Sequence, residues 1–246
     1  MSSELETSSE SPASVIFRSL SDPRPWHLTR TLQSENPADL NGELKGTASF
    51  VSSTDTDTER VRELLYKEEG EMPGAGGGLA GLRWSRKYIW RLSTSSYLKD
   101  EPKERATKQE NEESLSVWFV KLHKPTSDSE RTKHAAQTEN IAEADYIFHE
   151  LEFQDGSTTA DGMLSSEVPR PFAPNVIVPP SVQEPNTKIV VGRGRHLCIN
   201  DDYLTIYAFR LGGDPENVVS WSSRHIVRGP KKSQDIVNLY SRKDVE

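Results

Sequence analysis

Apolar and polar residues alternate with a period of two in about ten separate segments of the chain. In one of them, Leu44, Ala48 and Phe50 fall on one face, while polar residues such as Lys45 fall on the other. This period is that of a β-strand, whose successive side chains point to opposite faces. The alternation predicts strands at 26–33, 42–52, 61–70, 82–92, 115–123, 144–153, 188–199, 203–211, 218–228 and 235–242.

Ten strands joined by turns predict one closed antiparallel sheet. No long helical stripe competes with them, and closing the sheet removes its exposed edges. We therefore predict an all-β fold, a single antiparallel up-and-down barrel of about ten strands. A short helix is predicted before the first strand, where Val15, Ile16, Phe17 and Leu20 form an apolar side.

Polar segments interrupt this pattern. Hydrophobic residues make up only 33% of the chain, which indicates an ordinary core diluted by such segments. Their composition buries too little apolar area to offset the entropy lost on ordering them. We predict that residues 14–243 form one barrel domain, after a disordered tail at 1–13. Flexible insertions are expected at about 99–113, 125–140 and 154–187.

Charge and cysteine content limit the cellular setting and the partners. The chain has 30 Lys plus Arg against 38 Asp plus Glu, a formal net charge of −8 that argues against nucleic acid or anionic membrane as partners. Cys198 is the single cysteine, so no internal disulfide can form. A secretory signal and an apolar run of about 20 residues are both missing. These features predict a soluble cytoplasmic protein and leave its oligomeric state open.

Several polar residues share the inward face with aromatic ones, if the aromatic faces point into the barrel. They are Arg30 with Trp26, Glu68 with Tyr66, Arg86 between Trp84 and Tyr88, His149 with Ile147, and His225 with Trp221. Aromatic walls with a few polar groups are typical of a small-molecule cavity. Glu68 could pair with one of the two arginines and leave the other for a ligand carboxylate or phenolate. A filled core with a structural Glu–Arg pair remains the alternative.

The densest motif lies near the C-terminus. His196, Cys198, Asp201 and Tyr203 form the pattern H-x-C-x-x-D-x-Y, and V-x-G-P-x-K follows from Val227. Together with W-H-L-T-R at 26–30, R-K-Y-I-W at 86–90 and F-H-x-L at 148–151, these motifs resemble a bacterial and fungal domain-of-unknown-function family. The resemblance implies a compact lipocalin-like barrel and implies no particular activity.

The same motif contains metal-binding and nucleophilic residue types. A closed zinc site needs more ligands than His196, Cys198 and Asp201 supply, so no metal and no cofactor are predicted. Residues two apart on a strand rarely reach the geometry of a Cys–His catalytic pair, and a structural cysteine is commoner. Asp201 and Tyr203 are predicted to anchor a hairpin through hydrogen bonds.

The leading hypothesis is binding of a small, partly apolar, anionic molecule inside the barrel. The predicted ligand-binding residues are Arg30, Tyr66, Glu68, Trp84, Arg86, Tyr88, Trp90, His149, His196, Tyr203 and His225. A second hypothesis is an isomerase, cyclase or lyase using acid–base chemistry in the same cavity, with His149, His196 or Glu68 as the acid or base. A third is an interaction protein that acts through its charged insertions.

Overall fold

A computed structural model describes residues 10–52, 61–72, 81–95, 112–122, 142–153, 174–230 and 232–242. These residues form one short helix and ten strands. The helix is α1 (Pro12–Leu20), and the strands are β1 (Trp26–Ser34), β2 (Gly42–Ser52), β3 (Val61–Glu71), β4 (Arg83–Ser95), β5 (Glu112–Val120), β6 (Ala144–Phe153), β7 (Lys188–Cys198), β8 (Asp201–Gly212), β9 (Asn217–Arg228) and β10 (Ser233–Ser241). The predicted strands are confirmed, with small differences at their ends.

The sheet closes on itself as an up-and-down barrel. Each strand pairs antiparallel with its neighbours in the sequence, and β1 pairs with both β2 and β10. At the closing seam Leu28 lies opposite Tyr240. Both side chains are buried, so the seam belongs to the core. The predicted closed antiparallel barrel is therefore confirmed.

The short helix closes one end of the barrel. Ser11 caps α1 by accepting a hydrogen bond from the backbone N–H of Ser14 at 3.1 Å, and the next residue is a proline that suits the first turn. The side chains of Ile16 and Leu20 are fully buried in the barrel core. The guanidinium of Arg62, at the start of β3, lies 5.3 Å from the Phe17 ring. The helix therefore covers the end at which β3 begins and leaves the opposite end for the site.

One part of β6 differs from the predicted alternation. The pairing of β5 with β6 changes register on both sides of Trp118, which marks an irregularity of the bulge type. As a result, the consecutive residues Phe148 and His149 are both buried, whereas Ile147 is 41% exposed. The prediction that Ile147 shares the inward face with His149 is wrong, because a bulge inverts the faces on one side of it.

The ladder of hydrogen bonds between β6 and β7 is short. The two strands pair only where Glu152 meets Arg193 and Phe153 meets Gly192, which is the end near α1. Towards the other end the imidazole of His149 packs against the backbone of Gly194. A side chain therefore takes the place of ladder hydrogen bonds in this part of the wall.

Part of the predicted insertion 154–187 lies against the outside of the barrel. Residues 174–187 have no regular secondary structure, yet Arg210 Nε and Ser220 Oγ both donate hydrogen bonds to the carbonyl of Pro180, at 3.2 and 2.6 Å. These bonds satisfy a proline carbonyl that no ladder uses, which holds the segment in place. Residues 154–173 of this insertion lie outside the described residues.

The other insertions fall mostly outside the described residues as well. The predicted insertion 125–140 does so completely, and 99–113 does so except for residues 112 and 113, which belong to β5. In the described part of the chain, no helix has the length and apolar character needed to cross a membrane.

Candidate functional site

The end of the barrel opposite α1 contains a cavity of about 360 Å³. Every strand except β2 contributes to its wall. The wall is mainly aromatic: Tyr66, Tyr88, Trp90, Phe119, Tyr146, Phe148, Tyr203, Tyr207, Trp221 and Tyr240. Six charged or imidazole residues had been predicted to line it, and five of them do: Arg30, Glu68, Arg86, His196 and His225.

One polar contact in the cavity wall is a buried ion pair. Arg30 Nη2 lies 2.8 Å from Glu68 Oε2, and the two residues are only 4% and 1% exposed. Arg30 Nε also donates to Asn238 Oδ1 at 2.7 Å. Burial opposes the charge on Arg30, but the carboxylate of Glu68 and the hydroxyls of Tyr240 and Tyr66 together outweigh it and hold the pKa of Arg30 above its ordinary value. The pair is therefore a fixed part of the wall.

Two tyrosine hydroxyls extend this pair into a chain of hydrogen bonds. Tyr66 Oη lies 2.7 Å from Glu68 Oε2 and 2.9 Å from Tyr240 Oη. Burial raises the pKa of both phenols, so both keep their protons at neutral pH. Because an ionised carboxylate only accepts, Tyr66 donates to Glu68 and Tyr240 donates to Tyr66. All the donors in this series of hydrogen bonds point towards Glu68 Oε2.

The other oxygen of Glu68 is left without a donor. Glu68 Oε1 is buried and accepts no hydrogen bond from the described residues. Its near neighbour is Arg86, whose Nε lies 4.0 Å away, beyond hydrogen-bond distance. The Arg86 side chain is 49% exposed, in contrast to Arg30. Arg86 is thus a cation at the cavity opening that Glu68 only partly balances.

His225 contributes a neutral imidazole to the wall. Its Nδ1 lies 3.1 Å from Thr205 Oγ1, and its Nε2 lies 3.1 Å from Ser223 Oγ. Burial, together with the nearby cations Arg30 and Arg86, lowers the pKa of His225 to about 3. With both ring nitrogens engaged, His225 orients its two hydroxyl partners.

His149 does not line the cavity, in contrast to the prediction that it would. Its ring is 3% exposed and fills the gap between β6 and β7. Its Nε2 lies 3.1 Å from the hydroxyl of Tyr207, and Tyr207 does line the cavity. Burial lowers the pKa of His149 well below its ordinary value, so the ring is neutral at pH 7. The bulge in β6 placed it behind the wall.

Trp84 was also predicted as a cavity wall and instead lines a neighbouring recess of about 350 Å³. Its ring lies against Gly46 and Gly70, where an added Cβ would come within 3.0 and 2.7 Å of it. The guanidinium of Arg30 lies 5.2 Å from the Trp84 ring, a cation–π distance. Arg30 and Arg86 border both spaces, so Trp84 supports the site from the far side of these cations.

The C-terminal motif forms the rim of the opening. The imidazole of His196 lies 5.4 Å from the Phe148 ring and 5.9 Å from the Tyr203 ring, measured between centroids. Lys232 Nζ binds Asp201 Oδ2 at 3.0 Å and the hydroxyl of Tyr203 at 3.1 Å. Lys232, just before β10, thus connects Asp201 and Tyr203 of β8 to the neighbouring part of the rim.

The rim also contains two residue types that can bind metal ions. His196 and Cys198 both line the cavity, but no group of three His, Cys, Asp or Glu residues in the described part of the chain is arranged to hold a metal ion. A structural zinc ion takes four ligands as a rule. The described rim is therefore aromatic and hydrogen-bonded in character.

Sequence reasoning missed several wall residues. Tyr207 alternates with Tyr203 on β8, so the same period of two could have assigned it. Trp221 was placed on the inward face with His225 but was not counted among the ligand-binding residues. Asn238 alternates with Ile236 and Tyr240 on β10, so the same period of two places it on the inward face as well. A polar residue in a strand usually faces solvent, and only the fold reveals that Asn238 binds Arg30.

The extent of the barrel agrees with a family match. A profile described as a family of unknown function, DUF6314, matches residues 24–242. The chain belongs to this family. The DUF6314 match includes all ten strands and leaves out α1, which covers the closed end. No curated protein and no solved structure matches the chain.

Proposed function

We propose that this protein binds a small, partly apolar, anionic molecule in the barrel cavity. The observation that carries the proposal is the position of Arg86, a half-exposed guanidinium at the opening of an aromatic cavity, 4.0 Å from its nearest carboxylate oxygen. Arginine presents a planar fork of donors that suits a carboxylate or sulfonate.

The size and lining of the cavity support an apolar body for the ligand. Ligand pockets in proteins have volumes of about 300–1,000 Å³ and are lined mainly by hydrophobic and aromatic side chains. The cavity here, at about 360 Å³, suits a molecule of one or two fused rings. The rings of Tyr66 and Tyr88, stacked with centroids 6.3 Å apart, form one flat part of the wall.

The charges in the cavity support an anionic group. Among the described lining residues, Arg30 and Arg86 are formally positive and Glu68 is formally negative, with histidine counted as neutral. One formal positive charge is therefore left over in the wall, at the half-exposed side chain of Arg86. An oxyanion next to Arg86 would compensate it.

A matched pair of fluorescent probes tests the proposal. 8-Anilinonaphthalene-1-sulfonate is anionic, and N-phenyl-1-naphthylamine has the same rings without the sulfonate. We expect the wild type to bind the sulfonate with roughly tenfold or greater preference, the size expected for hydrogen bonds to a charged group. The measurement is a fluorescence titration with both probes.

Two arginine variants on one strand provide the control. Arg86→Gln should remove most of the preference for the sulfonate, whereas Arg83→Gln should keep it, because the side chain of Arg83 is 68% exposed and lies by Glu69. Equal binding of both probes by the folded wild type would reject the anionic ligand, and so would an unchanged preference in Arg86→Gln.

Acid–base catalysis is the second candidate, and the geometry favours Glu68 for it. Glu68 lines the cavity and has an oxygen without a donor, whereas His149 lies behind the wall. A carboxylate within reach of a bound substrate is a suitable general base. If an activity is found, Glu68→Gln should abolish turnover, and His149→Gln should affect it far less. A larger loss of turnover in His149→Gln than in Glu68→Gln would reject Glu68 as the base.

A further inference from the structure

We propose that the ligand of this cavity carries a hydrogen-bond donor next to its anionic group. The ligand class is an aromatic carboxylate, or a comparable oxyanion, with an adjacent N–H or O–H. This inference rests on the proposed function and specifies the polar group of the ligand. It starts from Glu68, whose two carboxylate oxygens have different surroundings.

Only one of the two carboxylate oxygens of Glu68 accepts hydrogen bonds from the described residues. Oε2 accepts hydrogen bonds from Arg30 at 2.8 Å and from Tyr66 at 2.7 Å, whereas Oε1 accepts none from the described residues. The residue is 1% exposed, so bulk water does not solvate Oε1 as it would at the surface. A buried acceptor of this kind is costly when unpaired, and a charged one more so. A donor from the ligand would remove that cost.

Arg86 fixes where the anionic group would lie. Its Nε is 4.0 Å from Glu68 Oε1, so one ligand group would contact both side chains. Such a group must lie beside the two atoms, because a gap of 4.0 Å leaves no space between them. A plain carboxylate in this place would put a negative oxygen beside Oε1 and be repelled. A simple amine would satisfy Oε1 but would face Arg86 and Arg30. An acceptor with a neighbouring donor matches both residues at once.

Two ligands of the same shape separate these possibilities. Indole-2-carboxylate has an N–H beside its carboxylate, and benzofuran-2-carboxylate has a ring oxygen in that position. We expect the wild type to bind the indole roughly tenfold or more tightly, as measured by titration calorimetry, because the N–H donates to a buried carboxylate. Equal affinities would overturn the inference while leaving the proposed function in place.

Glu68→Gln tests which residue causes the preference. Arg30 and Tyr66 both donate to the Oε2 position, so the amide oxygen should occupy it and the amide NH₂ should occupy the Oε1 position. A donor would then face the indole N–H, and the preference for the indole should disappear. An indole preference as large as in the wild type would overturn the assignment to Glu68.

The remaining outcomes are also decisive. If Glu68→Gln does not fold, the proton resonance of the bound indole N–H in the wild type should move downfield and exchange slowly with solvent; an unshifted resonance contradicts the inference. Binding of the sulfonate probe through Arg86, without binding of either carboxylate, rejects this ligand class but keeps the proposed function. No binding of any anionic probe rejects both.

Discussion

Glu68 forms its ion pair with Arg30, two strands away, although Arg86 lies opposite it in the register of β3 and β4. On β2, the strand between the partners, Leu44 lies opposite Arg30 and Ala48 lies opposite Glu68, so the ion pair crosses this strand diagonally. As a result, Arg86 at the cavity opening keeps only a 4.0 Å contact with Glu68.

Loss of Arg30 should be strongly destabilising. Arg30→Met leaves the Glu68 carboxylate buried without its cation, and breaking a buried pair in this way costs about 3–5 kcal/mol. The double variant Arg30→Met/Glu68→Met should recover most of that loss, because no unpaired charge remains. Urea unfolding measures both, with the exposed Arg83→Met as control. A double variant less stable than Arg30→Met would contradict this account.

The sequence predicted the barrel well because alternation marks its strands, although the pairing shifts register in β6 and also between Arg210 and Leu211 of β8. The inward positions of Arg30, Glu68 and Arg86 followed from the same pattern. Their pairing did not, because alternation assigns a face and gives no information about contacts across the barrel interior. The bulge that moved His149 behind the wall depends on the pairing with β5, which no local signal in the sequence of β6 reveals.

Buried histidines should make the protein less stable in mild acid. The pKa of His225 is lowered to about 3, below its ordinary value near 6.5, chiefly by burial. As the pH falls below about 6.5, the unfolded state therefore takes up the proton first, and stability decreases until about pH 3. The decrease is at most about 1.4 kcal/mol per pH unit for each such histidine.

Urea unfolding at pH 7 and pH 5 measures this slope while most carboxylates stay ionised. His225→Gln should reduce the slope, and His27→Gln, at an exposed position, should leave it unchanged. Equal slopes in the wild type and His225→Gln would show that His225 does not titrate in this way.

The contact between Gly194 and His149 should be sensitive to one methyl group. A Cβ on Gly194 would lie 2.5 Å from Cδ2 of the imidazole, closer than packed atoms approach. We expect Gly194→Ala to cost about 1–3 kcal/mol of unfolding free energy through overpacking. Adding His149→Ala should make Gly194→Ala far less harmful, as measured in a double-mutant cycle. Strict additivity would contradict a direct clash.

Filling the cavity should block binding without removing any charge. Val117 lines the cavity, so Val117→Phe should extend its ring into the space and weaken binding of the sulfonate probe roughly tenfold or more. Val51→Phe is the control, because Val51 is 55% exposed on β2. Thermal unfolding should find both variants folded. Undiminished binding by folded Val117→Phe would place the probe elsewhere.

The position of a bound anion tests the central claim most directly. A crystal structure of the wild type with 8-anilinonaphthalene-1-sulfonate would give that position. The account predicts the sulfonate within hydrogen-bond distance of Arg86 and the rings against the wall that includes Tyr88 and Trp90. A sulfonate bound away from Arg86, or a probe seated only on the outer face of the barrel, would contradict it.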